Sequence, residues 1–284
     1  MKSDHSQLVP PGLYIIATPI GNLKDITLRA LDVLRIVDLI ACEDTRVTAK
    51  LLHHYGIDKP TLSYNDHNGQ ERRPKILEAL AQGQRVALVS DAGTPLISDP
   101  GYKLVKAVHE HGFYVTTLPG PSSVMAALCL SGLPTDRFLF AGFLPSKTEA
   151  CRNGLRELAT SPSTLVFFES AHRLPATLAL MHEVFGEREA AVVRELTKLY
   201  EESKKGVLST LIAYYQEHGE PRGEVVVVVA PPAIAHESTE QLEEKLRLLL
   251  ASHSVKEAVA IVAEETGTPR KEVYSLALKL SSKA

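Results

Sequence analysis

Apolar runs and amphipathic stretches alternate along the first 130 residues of the chain. Short runs of strand length recur after each stretch with helical periodicity, and Gly56, Gly83 and Gly112 stand where helices would end. The predicted strands are 13–17, 39–42, 61–64, 86–90 and 114–118, and the predicted helices are 25–36, one ending at 55, 71–82, one ending at 111 and one ending at 130. This order predicts a mainly parallel sheet with helices on both faces.

The alternation resumes after a linker at 131–134, where the sequence is SGLP. The next predicted strands are 138–141, 164–169, 190–194 and 225–230, separated by helices. Five consecutive valines at 225–229 are typical of a strand that is buried on both faces. The pattern therefore predicts an N-terminal α/β domain at 12–133 and a second α/β domain at 134–232.

A small helical module is predicted at 238–284, beyond a second linker at 230–238. Ser254 and Glu257 have the spacing of a capping box that opens a helix, and Gly267 closes that helix. A further helix is predicted from the Thr-Pro pair at 268–269 to residue 280. Two helices across a tight turn resemble a helix-turn-helix, and they fit equally well an α-hairpin that packs on the main body or on a second subunit.

The composition is that of a globular protein, since 44% of the 284 residues are hydrophobic and the net charge is −3. Cys42, Cys129 and Cys151 are far apart without a CxxC pair, so we expect reduced thiols and no metal site. No apolar run has the length of a membrane span and the N-terminus is polar, so we expect a cytoplasmic protein without a membrane partner. At this net charge, a nucleic acid would be bound by a local basic patch or with a partner subunit.

Polar motifs rich in turn residues follow the predicted strands. The loop SDAGTPLISDPG at 90–101 is typical of a ligand-binding shelf, because its glycines allow unusual backbone angles and its prolines fix φ. The other motifs are TPIGN at 18–22, EDTR at 43–46, PGPSS at 119–123, FFESAHR at 167–173, RELTK at 194–198 and RGE at 222–224. Because loops at the carboxyl ends of parallel strands line one crevice, we expect these motifs to meet in a cleft between the two domains.

Several common catalytic signatures are absent from the sequence. It contains no GxGxxG after the first strand, no GxxxxGK[ST], no GxSxG and no HExxH. Dinucleotide binding of the Rossmann type, P-loop phosphate binding and serine-hydrolase chemistry therefore lack their usual sequence support. Metal catalysis is disfavoured for the same reason.

Taken in order, the seven motifs resemble those of the tetrapyrrole methylase superfamily, and specifically its ribosomal RNA small subunit methyltransferase I branch. The resemblance spans 18–224 and extends to the helical C-terminal module. It implies an α/β fold with a mainly parallel N-terminal sheet and a mixed second sheet, distinct from Rossmann-type methyltransferases. It also implies a homodimer that uses S-adenosylmethionine to methylate the ribose 2′-OH of a cytidine in the decoding region of 16S rRNA, in the small ribosomal subunit.

Carried over motif by motif, the resemblance also implies a cofactor-binding set drawn from both domains. The set is Pro19, Asp91, Gly93, Thr94, Ser122, Ser123, Phe168, Leu196 and Val226. We expect much of the contact to go through backbone groups. Ser122 and Ser123 also suit the N-cap of the helix that follows them, and the two roles are compatible.

The implied reaction is an in-line displacement by the ribose oxygen, in which the cofactor supplies an activated methyl carbon. The protein would add alignment, exclusion of water and removal of the hydroxyl proton. The candidate carboxylates are Glu43, Asp44, Glu169, Glu195, Glu202 and Glu224. Our hypothesis is that Glu169 or Glu195 contacts the hydroxyl, although each of these charges also fits an interdomain ion pair.

Candidate RNA-binding residues are the basic side chains of the motifs and of the last predicted helix. They are Arg46, Arg173, Arg194, Lys198, Lys147, Arg270 and Lys271. One segment departs from the branch: residues 148–152 read TEACR where a markedly basic segment is expected, which weakens the case for RNA contact there.

Two alternatives to an RNA methyltransferase stay open. One is another enzyme of the superfamily, which methylates a tetrapyrrole or a protein residue. The other is a non-catalytic module that binds the cofactor and regulates a partner through the C-terminal helices.

Overall fold

Five parallel strands build the first sheet of the structure, a computed structural model that describes residues 9–233 and 239–281. The strands are β1 (Gly12–Ile16), β2 (Leu39–Cys42), β3 (Thr61–Ser63), β4 (Arg85–Val89) and β5 (Val115–Leu118). Their order is β3-β2-β4-β1-β5. The connecting helices are α1 (Leu28–Ile36), α2 (Thr45–His54), α3 (Gly69–Ala81) and α4 (Tyr102–Glu110), followed by α5 (Ser123–Ser131). The predicted parallel sheet is confirmed.

Helices cover both faces of this sheet. Leu34 of α1 and Leu51 of α2 are buried in one apolar cluster with Ile16. Ile76 of α3 and Leu104 of α4 are buried in a second cluster on the other face. The alternating β and α pattern therefore predicts the layering as well as the strands.

The start of α1 differs from the prediction by three residues. Residues Leu23–Asp25 form a separate 3-10 turn, and α1 begins only after Thr27, whose hydroxyl accepts a hydrogen bond from the backbone N–H of Ala30. An N-cap of this kind fixes the first turn of a helix. The helix that was predicted to start near residue 25 therefore begins at Leu28.

The second sheet also has five strands and is mixed. They are β6 (Phe138–Phe143), β7 (Thr164–Ser170), β8 (Glu189–Arg194), β9 (Glu202–Val207) and β10 (Glu224–Val229), in the order β6-β7-β10-β8-β9. Only β6 and β7 pair in parallel. The helices of this half are α6 (Thr148–Leu158), α7 (Leu174–Phe185) and α8 (Leu208–His218). β10, which holds the five valines, is central and buried as expected.

Helix α5 packs on the second sheet although it follows the last strand of the first. Val124 and Leu128 of α5 lie in one apolar cluster with Val193 of β8 and Val226 of β10, and Ile20 from the loop after β1 joins it. The chain divides into two compact units, 1–231 and 232–284, so both sheets belong to one unit. The finer division at 133/134 stays a prediction.

The C-terminal unit is a three-helix module within its described residues, with α9 (Thr239–Leu250), α10 (Val255–Thr266) and α11 (Arg270–Ser281). The Ser254 and Glu257 capping box is formed, and Gly267 ends α10 in the left-handed region at φ +66°. Leu246 and Val262 are fully buried in its core. Of the predicted linker at 230–238, residues 234–238 lie outside the described part of the chain.

Among the described helices, none combines the length and the apolar character that crossing a membrane requires.

Candidate active site

A cavity of about 590 Å³ lies between the loops of the first sheet and the second sheet. Both halves of the compact unit contribute to its walls, and six of the seven motifs reach it, all except EDTR at 43–46. It is lined by Ile20, Ala92, Ser98, Asp99, Ser123, Phe143, Phe168, Glu169, Ser170, Ala171, His172, Leu196, Gly223, Glu224, Val225 and Val226. Its volume lies within the range of about 300–1,000 Å³ that is typical of small-molecule sites. We call it the central cavity.

Hydrogen bonds tie together three loops of the first sheet at the edge of the central cavity. Thr18 and Gly93 exchange two backbone bonds of 2.9 and 3.0 Å, and the Thr18 hydroxyl donates to the carbonyl of Ser90. The Thr94 hydroxyl donates to the carbonyl of Pro121 at 3.1 Å. The loops after β1, β4 and β5 therefore move as one piece, which limits the entropy lost when a ligand binds.

Backbone strain is concentrated in two loops beside the cavity. Four residues other than glycine have a positive φ among the described residues: Leu96 (75°), Ser98 (61°), Glu195 (50°) and Thr197 (63°). Such conformations cost on the order of 1–3 kcal/mol each and persist where the surroundings hold them. Their position at the cavity marks these two loops as functional candidates.

Gly21 allows the TPIGN loop to touch the RELTK loop of the second sheet. A Cβ on Gly21 would lie 2.5 Å from Cγ of Lys198 and 2.7 Å from the carbonyl oxygen of Leu196. No side chain fits into this gap without moving backbone. The close approach therefore requires glycine and joins the two walls of the central cavity.

Lys198 links two carboxylates of the second half. Its ammonium lies 2.9 Å from Oε1 of Glu195 and 2.8 Å from Oε2 of Glu224. The same oxygen of Glu195 also accepts the backbone N–H of Glu224 at 3.1 Å. The hydrogen bond from Lys198, together with that N–H, lowers the pKa of Glu195. Glu195 is therefore ionised and held at neutral pH.

Glu169 is fully occupied by neighbouring donors. Its side chain is 1% exposed, Oε1 accepts the backbone N–H of Ser170 at 2.7 Å, and Oε2 accepts the hydroxyl of Thr177 at 2.6 Å. The guanidinium of Arg173 lies 3.4 Å from Oε1 and donates to the carbonyls of Leu144 and Pro145. These are the contacts of a carboxylate that orders the start of α7.

Three carboxylates of the first half have raised pKa values. Burial is the main cause for Glu43, Asp91 and Asp99, and the charges of neighbouring carboxylates add to it. Asp44 behaves oppositely, because hydrogen bonds from Arg46 lower its pKa to about 2. It also caps α2 by accepting the backbone N–H of Arg46 at 2.8 Å. Asp99 alone among these four lines the central cavity.

The nine predicted cofactor residues fall into three groups. Ser123, Phe168, Leu196 and Val226 line the central cavity. Four others, namely Pro19, Gly93, Thr94 and Ser122, are not in its lining; Gly93 and Thr94 instead bond the loops to one another, and Ser122 caps α5. Asp91 lies in a separate cavity of about 410 Å³ with Glu43, Asp44 and Arg46.

Most of the predicted RNA-binding side chains inside the compact unit are engaged by the protein. Arg46 pairs with Asp44, Arg194 with Glu202 at 2.6 Å, and Lys198 and Arg173 with the groups described above. Lys147, Arg270 and Lys271 are exposed. The Arg46 side chain is 87% exposed although it is paired, so Arg46 remains a candidate for RNA contact together with these three residues. Arg173, Arg194 and Lys198 are less exposed and serve first to hold the site together.

The sequence analysis missed several lining residues, of which Asp99, Phe143 and His172 carry the most chemistry. Asp99 is the second carboxylate of the SDAGTPLISDPG loop, and His172 lies within FFESAHR, so both could have been drawn from motifs already singled out. Phe143 ends β6 and contacts Phe168 edge to face, with ring centroids 5.4 Å apart. No motif marks it, because its position depends on strand pairing.

No group of three or more His, Cys, Asp or Glu side chains suited to a metal ion occurs in the described parts of the chain.

Comparisons with known proteins agree over most of the chain. The family profile of the tetrapyrrole (corrin/porphyrin) methylases matches residues 12–212, and that of the RsmI C-terminal HTH domain matches 236–281. Relatives called ribosomal RNA small subunit methyltransferase I are 48% identical in Mesorhizobium japonicum, over 95% of this chain and 92% of the relative, and 50% identical in Erythrobacter litoralis, over 99% and 100%. A uroporphyrin-III C-methyltransferase from Thermus thermophilus, solved with S-adenyl homocysteine, superimposes with a TM-score of 0.53 at 20% identity, over 77% of this chain and 97% of that chain.

Proposed function

The chain belongs to the tetrapyrrole methylase family, within the group of ribosomal RNA small subunit methyltransferase I, and from this premise we propose that it transfers a methyl group from S-adenosylmethionine to a ribose 2′-OH. The substrate is 16S rRNA of the small ribosomal subunit, and the acceptor is a cytidine of its decoding region. The observation that carries the proposal is the central cavity, whose walls include residues from six of the seven motifs of the family resemblance.

The central cavity suits the proposed methyl donor in size and lining. Ile20, Phe168, Leu196 and Val226 offer apolar surface for a flat heterocycle, while Ser123 and the backbone of the loops offer polar groups. When bound there, S-adenosylmethionine supplies a methyl carbon activated by its sulfonium. Our proposal gives these five residues the task of holding it.

The protein's own contribution is orientation, exclusion of water and proton removal. Rigid loops of the first half align the bound groups, since Thr18, Gly93 and Thr94 fix them to one another. Lys198 holds Glu195 and Glu224 in one arrangement, so these two carboxylates shape the wall next to Gly223.

We assign the removal of the hydroxyl proton to Asp99. It lines the central cavity and burial raises its pKa, which makes it a better proton acceptor than a solvated carboxylate. The earlier hypothesis that Glu169 or Glu195 contacts the hydroxyl is less well supported, because both carboxylates already accept several hydrogen bonds. Asp99→Asn should lower kcat about 100-fold without weakening cofactor binding, whereas Glu195→Gln should retain more turnover. Full turnover of Asp99→Asn would remove the assignment.

The function itself is tested by transfer of labelled methyl from S-adenosylmethionine to small ribosomal subunits from cells that lack this gene. Alkaline hydrolysis then shows whether one ribose 2′-position has become protected. A single protected cytidine would support reaction, atom and substrate together. No transfer to subunits or to free rRNA, by a protein that binds the cofactor, would favour a small-molecule methylase or a regulatory module.

Three further features belong to the proposal. We place the protein in the cytoplasm. We also propose a homodimer, because local basic patches on two copies would together form a longer positive surface than one chain of net charge −3 offers. Arg270 and Lys271 open α11 and are exposed, which suits contact of the C-terminal module with RNA. A fully active monomer in sedimentation would contradict the dimer.

A further inference from the structure

A second cavity, of about 430 Å³, opens beside the central cavity in the second half of the chain. It is lined by Arg194, Tyr200, Glu202, Tyr214, Tyr215, His218, Gly219, Glu220, Pro221 and Arg222. We call it the tyrosine cavity. Arg194 and Arg222 directly precede Glu195 and Gly223 in the chain, and Gly223 lines the central cavity. The two cavities are therefore neighbours along two strand ends.

Aromatic rings dominate the tyrosine cavity. Tyr214 and His218 stack with centroids 4.2 Å apart at 20°, and the Lys204 ammonium lies 4.1 Å from the Tyr214 centroid. Tyr200 is 69% exposed, and no ring contact among the described residues involves it. A large exposed aromatic side chain in the lining of a cavity offers a face on which a flat ligand can stack.

The charges of the residues that line the tyrosine cavity favour a nucleobase over a phosphate as its ligand. Arg194 and Glu202 neutralise each other at 2.6 Å, and Arg222 and Glu220 balance in formal charge. Binding of a phosphate would need an excess of positive charge, which this lining lacks. Binding of an uncharged aromatic ring needs no such excess.

The floor of the tyrosine cavity contains an unsatisfied polar group. Tyr215 is 4% exposed, and its hydroxyl has no hydrogen-bond partner among the described residues. Buried hydroxyl groups normally have a partner. A ligand with hydrogen-bonding edges is therefore better suited to this cavity than a hydrocarbon.

We propose that the tyrosine cavity binds an unpaired nucleobase of the RNA strand, next to the nucleotide whose ribose enters the central cavity. This inference rests on the proposed function for the identity of the strand. Tyr200 stacks on the base, and the adjacent strand ends lead the backbone from one cavity to the other. Single-stranded RNA is commonly held through aromatic stacking of this kind.

The test uses the full chain and a short unstructured oligoribonucleotide that carries 2-aminopurine, whose fluorescence falls on stacking. Tyr200→Ala should weaken its binding about tenfold, whereas Tyr200→Phe should bind within about twofold of wild type because the ring remains. Tyr114→Ala is the matched control, since Tyr114 is 47% exposed and directly precedes β5, at the opposite end of that strand from the PGPSS loop. Cofactor affinity should be unchanged in all three.

Methylation of small ribosomal subunits separates this inference from the proposed function. Tyr200→Ala should raise KM about tenfold and leave kcat unchanged. If RNA binding depends on Tyr200 but the protein methylates no RNA, base binding in the tyrosine cavity is supported and the proposed methylation of RNA is refuted. If Tyr200→Ala binds RNA as tightly as wild type and has the same KM, base binding in the tyrosine cavity is refuted and the proposed methylation of RNA is unaffected.

Discussion

Replacing Gly223 with alanine tests whether the contact between Gly223 and Glu195 shapes the central cavity. Gly223 has φ +90°, and a Cβ there would lie 2.1 Å from Oε1 and 2.6 Å from Cγ of Glu195. Because the Glu195 side chain can rotate, the clash is relieved by moving its carboxylate. That movement breaks the bonds from the Lys198 ammonium and from the backbone N–H of Glu224.

The expected cost has two parts. The positive φ alone costs alanine about 1–2 kcal/mol. The two lost bonds add about 1–2 kcal/mol, a value kept low because the side chains of Glu195 and Lys198 are 19% and 28% exposed. Gly83→Ala is the matched control, since Gly83 has φ +77° and nothing lies within 4 Å of its Cβ position. This control variant has the cost of the positive φ, but it loses no hydrogen bonds of Glu195.

Urea unfolding measures both variants, and calorimetric titration with S-adenosylmethionine measures binding. Gly223→Ala should be less stable than Gly83→Ala by about 1–2 kcal/mol, and its cofactor affinity should fall about tenfold, which corresponds to about 1.4 kcal/mol. Gly83→Ala should bind the cofactor normally. Equal stability and equal affinity of the two variants would refute the role given to Glu195.

Three other substitutions address separate parts of the structure. Burial raises the pKa of Asp99, so its ionisation destabilises the fold as pH rises through the raised value. Asp99→Asn should therefore be more stable than wild type at pH 7 in urea unfolding, and this gain in stability should vanish near pH 4. Thr177→Val removes the hydroxyl that donates to Glu169 and should cost about 1–3 kcal/mol in the same assay. Ser254→Ala removes the capping box and should destabilise the C-terminal unit by about 1 kcal/mol in hydrogen exchange, whereas Ser275→Ala, an exposed serine inside α11, should change it little.

Asp99→Asn with unchanged stability at both pH values would contradict the burial argument. A Thr177→Val protein as stable as wild type would mean that the Glu169 carboxylate does not need this donor. Equal protection of α10 in the Ser254 and Ser275 variants would remove the capping box from the account of that helix.

Strand positions could be predicted from sequence wherever burial produces a continuous apolar run. The five valines of β10 are one example, and the runs of β1 and β4 are others. β9 was missed because it is an edge strand with the sequence ESKKGV, in which exposed and half-buried positions alternate without an apolar run. An apolar sequence pattern arises where side chains are buried, and no side chain of this edge strand is fully buried.

The candidate site could be predicted to the level of loops and not to the level of side-chain partners. The motifs locate the central cavity because strand ends in an α/β sheet converge. The partners of Glu169 could not be found this way, since Thr177 lies on the next helix and its contact depends on how that helix packs. Likewise, the positive φ angles of Glu195 and Thr197 occur in the loop that Gly21 approaches from the other half of the unit, a contact between segments far apart in the sequence.

The packing of α5 on the second sheet has a consequence for synthesis on the ribosome. Val124 and Leu128 are translated about 100 residues before β10, the strand against which they are buried. At translation rates of about 5–20 residues per second, α5 waits roughly 5–20 s for that strand. The nascent chain therefore carries an uncovered apolar helix until the first compact unit is nearly complete, and in that interval the apolar side chains of α5 are open to non-native contacts.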